Sequence, residues 1–286
     1  MSRYNITSGA ASCPSSGSIN YGNYFFNGYY LDMTQTDYPS AVNTAAHNEA
    51  DLFAVCSANG EGAPADTFYA MDYLNRFNDR VRFEDEPEWN RLLETYLKKL
   101  NQSVYFDAEH TRQEASVSTV VLGLDGEKIY GAGVGSCAAY ILRNGKLTEL
   151  TASFDKKARL GISKDCPELF FMENLALESG DRLLLINGEA GSLVGDERLM
   201  QLMQSEGNID DRVKAVIKAA LDAGAREYIT AVFISVDGVG SESFIAGKKG
   251  RRLIVFLIIL LLLVIAAGLV LWSALENGNG VPELPI

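Results

Sequence analysis

The chain has 286 residues, of which 47% are hydrophobic and 22% are charged, so its composition excludes wholesale disorder. This length allows one large domain or two small ones. Acidic residues outnumber basic ones by 37 to 25, and the resulting net charge of −12 disfavours nucleic-acid binding.

The first fifty residues contain two predicted surface segments and a predicted hairpin. Residues 1–18 are rich in Ser, Gly and Ala and predict a flexible N-terminus. The pair Asn27-Gly28 stands between two aromatic runs and predicts a tight β-hairpin turn. The polar stretch at 32–48 predicts a surface loop, and the short apolar run at 52–56 that follows it predicts a strand.

Two amphipathic helices follow that strand. Apolar residues recur at helical spacing from Phe68 to Phe77, and Pro64 before them suits the first turn of a helix. A second helix is predicted at 87–106, because its large apolar residues share one stripe.

Beyond the second helix the apolar residues follow the pattern of strands. The predicted strands lie at 119–124, 128–134, 138–143, 182–186 and 229–236. Asp125-Gly126 marks a tight turn between the first two strands, and Asn144-Gly145 marks another directly after the third. An apolar helical stripe at 213–221 ends before Gly224. Because strands and helices come in blocks, without regular alternation, the predicted fold class is α+β.

Residues 253–272, from Leu253 to Trp272, form a run of 20 uncharged and mostly aliphatic residues. As a helix this run would be about 30 Å long, the thickness of a bilayer's hydrocarbon core. It predicts a transmembrane helix at 253–275, with Trp272 as an interfacial anchor. The residues that flank its N-terminal side are basic: Lys248, Lys249, Arg251 and Arg252. Since basic flanks stay in the cytoplasm, the domain at 19–237 should be cytoplasmic and the tail at 276–286 outside.

The predicted topology also sets the surroundings of the chain. We expect a single-pass protein of the cell membrane without a secretory signal, whose glycine-rich and basic linker at 238–252 lies against the lipid bilayer. Its four cysteines are scattered, with no paired spacing, so they should remain reduced thiols in the cytoplasm. Cys56 and Cys137 have no evident histidine partner and are expected to be buried structural thiols.

Six segments of the chain, taken in order, carry a family resemblance. The longest, residues 126–151, reads GEKIYGAGVGSCAAYILRNGKLTELT. It resembles the stretch GdklyvaNVGDSRaYllrdGkLtqLT of the PPM-type metal-dependent phosphatases, the protein phosphatase 2C family. The five other segments lie at 19–28, 52–62, 116–121, 177–197 and 223–236. The resemblance implies a four-layer αββα sandwich of two antiparallel sheets.

In that family, clustered aspartates hold two Mg²⁺ or Mn²⁺ ions around the water that hydrolyses a phosphoester. Hard divalent cations need several anionic oxygen ligands. The positions matched to these aspartates are Gly22, Ser57, Ser136, Gly188 and Glu227, and the phosphate-binding arginine is matched by Gly17. The residue that lends a backbone carbonyl to the metal site is matched by Ala58, and the asparagine after the last aspartate is matched by Tyr228. Glu227 alone keeps a carboxylate at a matched metal position, which is too few ligands for two ions. Asp51 and Glu61, which are near Ser57 in the sequence, are the other candidate metal ligands. The segment at 152–159 is also much shorter than the family's helical flap.

These replacements predict a pseudophosphatase without a metal cofactor or catalytic residues. It would act as a scaffold or regulator for a protein partner, such as a kinase, a phosphoprotein or a membrane complex. One alternative is a divergent, weak Ser/Thr phosphatase that uses Mg²⁺ or Mn²⁺. Another is a sensor of phosphopeptides or small ligands, because loss of the aspartates lowers the negative charge of the cleft and favours an anion.

Overall fold

The computed structural model describes residues 3–13, 22–26, 28–32, 40–46, 51–60, 63–81, 88–126, 128–172, 175–187, 190–226 and 228–240, all within one compact unit, Ser2–Gly240. The strands are β1 (Arg3–Cys13), β2 (Gly22–Phe26), β3 (Ser40–Ala46), β4 (Asp51–Gly60), β5 (Ala115–Asp125), β6 (Lys128–Val134), β7 (Ala138–Arg143), β8 (Lys146–Glu149), β9 (Phe170–Phe171), β10 (Leu175–Ala176), β11 (Arg182–Ile186) and β12 (Ile229–Gly240). The helices are α1 (Ala63–Val81), α2 (Trp89–Thr111), α3 (Ala190–Val194), α4 (Asp196–Gln204) and α5 (Ile209–Asp222).

These strands form two antiparallel sheets that face each other. The first has the order β3-β1-β12-β11-β7-β8, and the second has the order β10-β6-β5-β4-β2, with β9 also paired to β6. One apolar core lies between the sheets, a second lies between the second sheet and helices α1 and α2, and a third lies between the first sheet and helices α4 and α5. The αββα sandwich is therefore confirmed.

Strand β4 shows why the central strands read as continuous apolar runs in the sequence. Its Phe53 and Val55 point into the core between the sheets, whereas Leu52, Ala54 and Cys56 pack against the helices. A strand that is buried on both faces has no solvent side to place polar residues on. The run at 52–56 is the middle of this strand, and the two helices after it also form as predicted.

The prediction of a flexible N-terminus at 1–18 is wrong for residues 3–13, which form β1 between β3 and β12. The small residues of β1 allow helix α5 to pack closely against this strand. A Cβ added to Gly9 would lie 3.2 Å from Cγ2 of Ile209 on α5. The predicted loop at 32–48 likewise contains the edge strand β3, and β12 continues to Gly240, inside the predicted linker.

Within the described residues, no helix has both the length and the apolar character needed to cross a bilayer. The predicted span that begins at Leu253, its predicted interfacial anchor Trp272 and the basic residues before the span lie outside the described residues.

Candidate functional site

The described positions that match the phosphatase metal site come together around one polar cavity of about 450 Å³. Ser57 lies on β4, Ser136 lies in the turn after β6, and Tyr228 directly precedes β12; all three line the cavity. Gly22 on β2 is paired with Ser57 across the sheet.

Three of the predicted positions, Gly17, Gly188 and Glu227, lie outside the described residues. Asn187 and Tyr228, the neighbours of the latter two, line the same cavity. The sandwich thus gathers segments that are far apart in the sequence.

Gly22 is packed so closely that its position has no room for a side chain. An added Cβ would lie 2.2 Å from Oγ1 of Thr230 and 2.7 Å from Cδ2 of Tyr228. Real Cβ atoms do not approach other heavy atoms so closely, so the carboxylate that the resembled phosphatases carry here cannot fit without displacing both neighbours.

The side chain of Tyr228 forms a hydrogen bond with a backbone carbonyl of the matched metal site, that of Ala58. Its hydroxyl donates to the carbonyl oxygen of Ala58 at 2.8 Å, and the residue is 5% exposed. The buried amide of Asn187 fixes this segment, because it donates to the Tyr228 carbonyl at 3.0 Å and accepts from the Thr230 backbone N–H at 2.7 Å. The carbonyl oxygen of Ala58, which is matched to a metal ligand, therefore already accepts a hydrogen bond from the Tyr228 phenol.

The described residues of the cavity do not fit the two divalent ions that the fold family implies. Ser57 and Ser136 offer neutral hydroxyls, which do not replace carboxylates as ligands of two adjacent cations. No group of three or more His, Cys, Asp or Glu side chains with metal-binding geometry occurs in the described part of the chain. Asp51 begins β4, six residues and about 20 Å along the strand from Ser57, so this candidate ligand does not join the cavity.

Two basic side chains also line the cavity, a feature that the sequence pattern did not predict. Lys156 and Arg159 lie in the short segment between Thr151 and Leu160, and both line the cavity together with Glu149. The available signal was the cluster Lys156-Lys157-Ala158-Arg159 in a chain with a net charge of −12. Sequence alone does not show that this cluster folds onto the matched metal site.

The predicted burial of the two thiols near the cavity is confirmed. Cys56 and Cys137 are both buried. Burial raises the pKa of the Cys56 thiol well above its usual value, which disfavours the thiolate that nucleophilic chemistry requires. The Cys137 sulfur lies 3.8 Å from the Ser57 hydroxyl and donates to the Ser118 carbonyl at 3.4 Å. These contacts indicate a structural role.

A second cavity, of about 250 Å³, contains a buried acid between α1 and α2. Asp66, in the first turn of α1, is 2% exposed, and its Oδ2 has no hydrogen-bond partner. Burial, and to a smaller extent the charge of Asp107, raise the pKa of Asp66 to about 7. Asp72, in the same cavity, is instead paired with Arg76 at 2.7 Å.

We expect Asp66→Asn to stabilise the protein at pH 8 by about 2 kcal/mol after solvent screening, and to have little effect at pH 4. The raised pKa means that the folded state keeps a proton that the unfolded chain loses near pH 4. Stability therefore falls as the pH rises from about 4 to 7, and the loss persists above that. Urea denaturation at both pH values measures this, with the exposed Asp79→Asn on the same helix as control. An equal effect of Asp66→Asn at the two pH values would contradict the assignment.

The structure is similar to solved bacterial Ser/Thr phosphatases. The catalytic domain of PstP, solved in complex with two manganese ions, is 16% identical, with a TM-score of 0.63, and the match covers 82% of this chain and 100% of that one. PppA, a key regulatory component of T6SS in Pseudomonas aeruginosa, is 18% identical, with a TM-score of 0.65 and the same coverage. Stp1 from Staphylococcus aureus is 17% identical, with a TM-score of 0.61, covering 80% of this chain and 95% of that one.

Neither a protein-family model nor a curated protein matches the sequence. At these identities the structural likeness establishes the fold, and the fold is that of the PPM-type Ser/Thr phosphatases. What the chain does with this fold has to be argued from its own residues.

Proposed function

We propose that this chain is a membrane-anchored pseudophosphatase, which acts by binding a protein partner and not by hydrolysing a phosphoester. The observation that carries this proposal is the hydrogen bond from the Tyr228 hydroxyl to the Ala58 carbonyl. The close packing around Gly22 also supports the proposal, because it leaves no room for a side chain at a position matched to a metal-binding aspartate. The partner would be a kinase, a phosphoprotein or a membrane complex.

The membrane part of the proposal rests on the apolar run at 253–272 and the basic residues before it. The anchor would hold the phosphatase-like domain at the cytoplasmic face of the cell membrane and so raise its effective concentration near membrane-bound partners. After alkaline carbonate washing of membranes, the full chain should remain in the pellet. Recovery in the supernatant would contradict the anchor.

The full chain, purified in detergent, should not hydrolyse p-nitrophenyl phosphate above background when Mn²⁺ or Mg²⁺ is added. The expected reason is that two adjacent cations lack the anionic ligands that offset their repulsion. The control is a mock purification from cells without the chain, which measures contaminating phosphatases. Hydrolysis that saturates with Mn²⁺ and elutes with the protein would instead establish the alternative, a divergent Ser/Thr phosphatase.

A further inference from the structure

We propose that the polar cavity binds a phosphate monoester directly, through Arg159 and Lys156, without a metal ion. This inference rests on the proposed function, because it assigns a ligand to a cavity that hydrolyses nothing. The cavity is lined by Ser57, Ser136, Glu149, Lys156, Arg159 and Tyr228, among others.

Arg159 supplies a positive charge that no described carboxylate neutralises. Its Nη1 donates to the carbonyl oxygens of Lys156 and Ala158 at 2.7 and 2.8 Å, and its Nη2 donates to the Ser136 hydroxyl at 3.4 Å. None of these acceptors carries a charge, and no described carboxylate lies within 4 Å of the guanidinium. A half-buried guanidinium whose partners among the described residues are all neutral retains its attraction for an oxyanion.

The turn after β6 is shaped to admit this arginine. Gly135 has a φ of +84°, and a Cβ added there would lie 2.6 Å from the Ala158 carbonyl oxygen and 3.0 Å from Nη1 of Arg159. The same Cβ would lie 2.5 Å from the Ser118 hydroxyl, which is buried and has no hydrogen-bond partner. A glycine here therefore lets the basic segment pack against the cavity.

Lys156 supplies a second positive charge, but this charge is shared with an acid. Its Nζ lies 2.6 Å from Oε1 of Glu149 and also donates to the Thr151 carbonyl at 3.1 Å. Glu149 is the one carboxylate among the described lining residues. A phosphate dianion in the cavity would compete with Glu149 for the ammonium, so this acid weakens the binding of any anion.

The remaining described donors point to a phosphate rather than a carboxylate ligand. The hydroxyls of Ser57 and Ser136 line the cavity beside the two cationic groups, and phosphate offers three acceptor oxygens and a double charge to such a set. A cavity of about 450 Å³ leaves room for a substituent on the phosphate. That substituent belongs either to a phosphorylated protein side chain or to a small metabolite.

The test is isothermal titration of the full chain in detergent with inorganic phosphate, with a short phosphoserine peptide, and with the same peptide unphosphorylated. We expect phosphate and phosphopeptide to bind, the unphosphorylated peptide not to bind, and affinity to fall as salt is raised. Tighter binding of the phosphopeptide than of inorganic phosphate supports the protein source. Equal binding supports the metabolite.

Variants make the assignment specific to these side chains. Arg159→Ala should weaken phosphate binding at least about tenfold. Glu149→Gln should strengthen it about threefold or more by freeing Lys156, an increase that mere damage to the fold would not produce. The matched control is Lys157→Ala, because this exposed lysine lies in the same segment but does not line the cavity.

Absence of phosphate binding to a folded chain, or binding that Arg159→Ala leaves unchanged, would overturn the proposal. The proposed function would still stand in that case, because hydrolysis of p-nitrophenyl phosphate tests it separately. Metal-dependent hydrolysis would instead contradict the proposed function whatever the anion titration shows.

Discussion

Replacing Gly22 by aspartate is expected to destabilise the protein by about 4 kcal/mol and not to create a metal site. The new Cβ would collide with Oγ1 of Thr230 and the ring of Tyr228, which lie 2.2 and 2.7 Å from its position. The carboxylate beyond it would be buried with no cation to balance its charge. Urea denaturation of the full chain in detergent, followed by circular dichroism, measures the loss.

Two alanine variants separate the collision from the charge. Gly22→Ala carries only the collision and should cost about 2–3 kcal/mol. Gly9→Ala, also in a strand, should cost less, because its nearest neighbour, Cγ2 of Ile209, would be 3.2 Å away and would have to move by only a few tenths of an ångström. A stable Gly22→Asp protein that binds Mn²⁺ tightly would show that the site can be restored, contrary to our interpretation.

Asp181→Ala is expected to cost about 3 kcal/mol of unfolding free energy, because it removes a buried carboxylate that accepts several charged hydrogen bonds and leaves Arg143 paired with the more exposed Glu178. The Asp181 carboxylate is 1% exposed and receives two charged hydrogen bonds from Arg143, at 2.7 and 2.6 Å. It also accepts the backbone N–H of Glu178 at 2.8 Å. These contacts join β7 to the turn that leads into β11, and they raise the pKa of the Arg143 guanidinium.

An exposed ion pair provides the comparison for this variant. On α5, Nζ of Lys218 lies 2.8 Å from Oδ2 of Asp222, but both side chains are well exposed. Asp222→Ala should therefore lower the free energy of unfolding by less than about 0.5 kcal/mol. Chemical denaturation of both variants in the same buffer decides the matter. Similar costs for Asp181→Ala and Asp222→Ala would mean that burial of the Arg143 pair contributes nothing to stability.

The sequence by itself predicted the fold class and showed that residues 22 and 57 carry no carboxylate. A continuous apolar run such as 52–56 indicates a strand that is buried on both faces, and a pair such as Asn144-Gly145 indicates a tight turn. Both patterns can be recognised in the sequence because each depends on a few neighbouring residues. The identity of residue 22 or 57 is also visible without coordinates. A glycine or a serine cannot supply a carboxylate, wherever the chain places it.

Tertiary structure alone decided how these residues are used. The small residues of β1 read as flexible, yet they pair with β12 more than 200 residues later in the chain. The sequence shows Lys156 and Arg159 only as part of a short basic cluster, whereas the structure shows that they line the same cavity as Ser57. Strand order and the approach of a loop to a distant sheet depend on contacts between residues far apart in the chain. Hydrophobic periodicity carries no information about such contacts, because it records only which side of each local segment is buried.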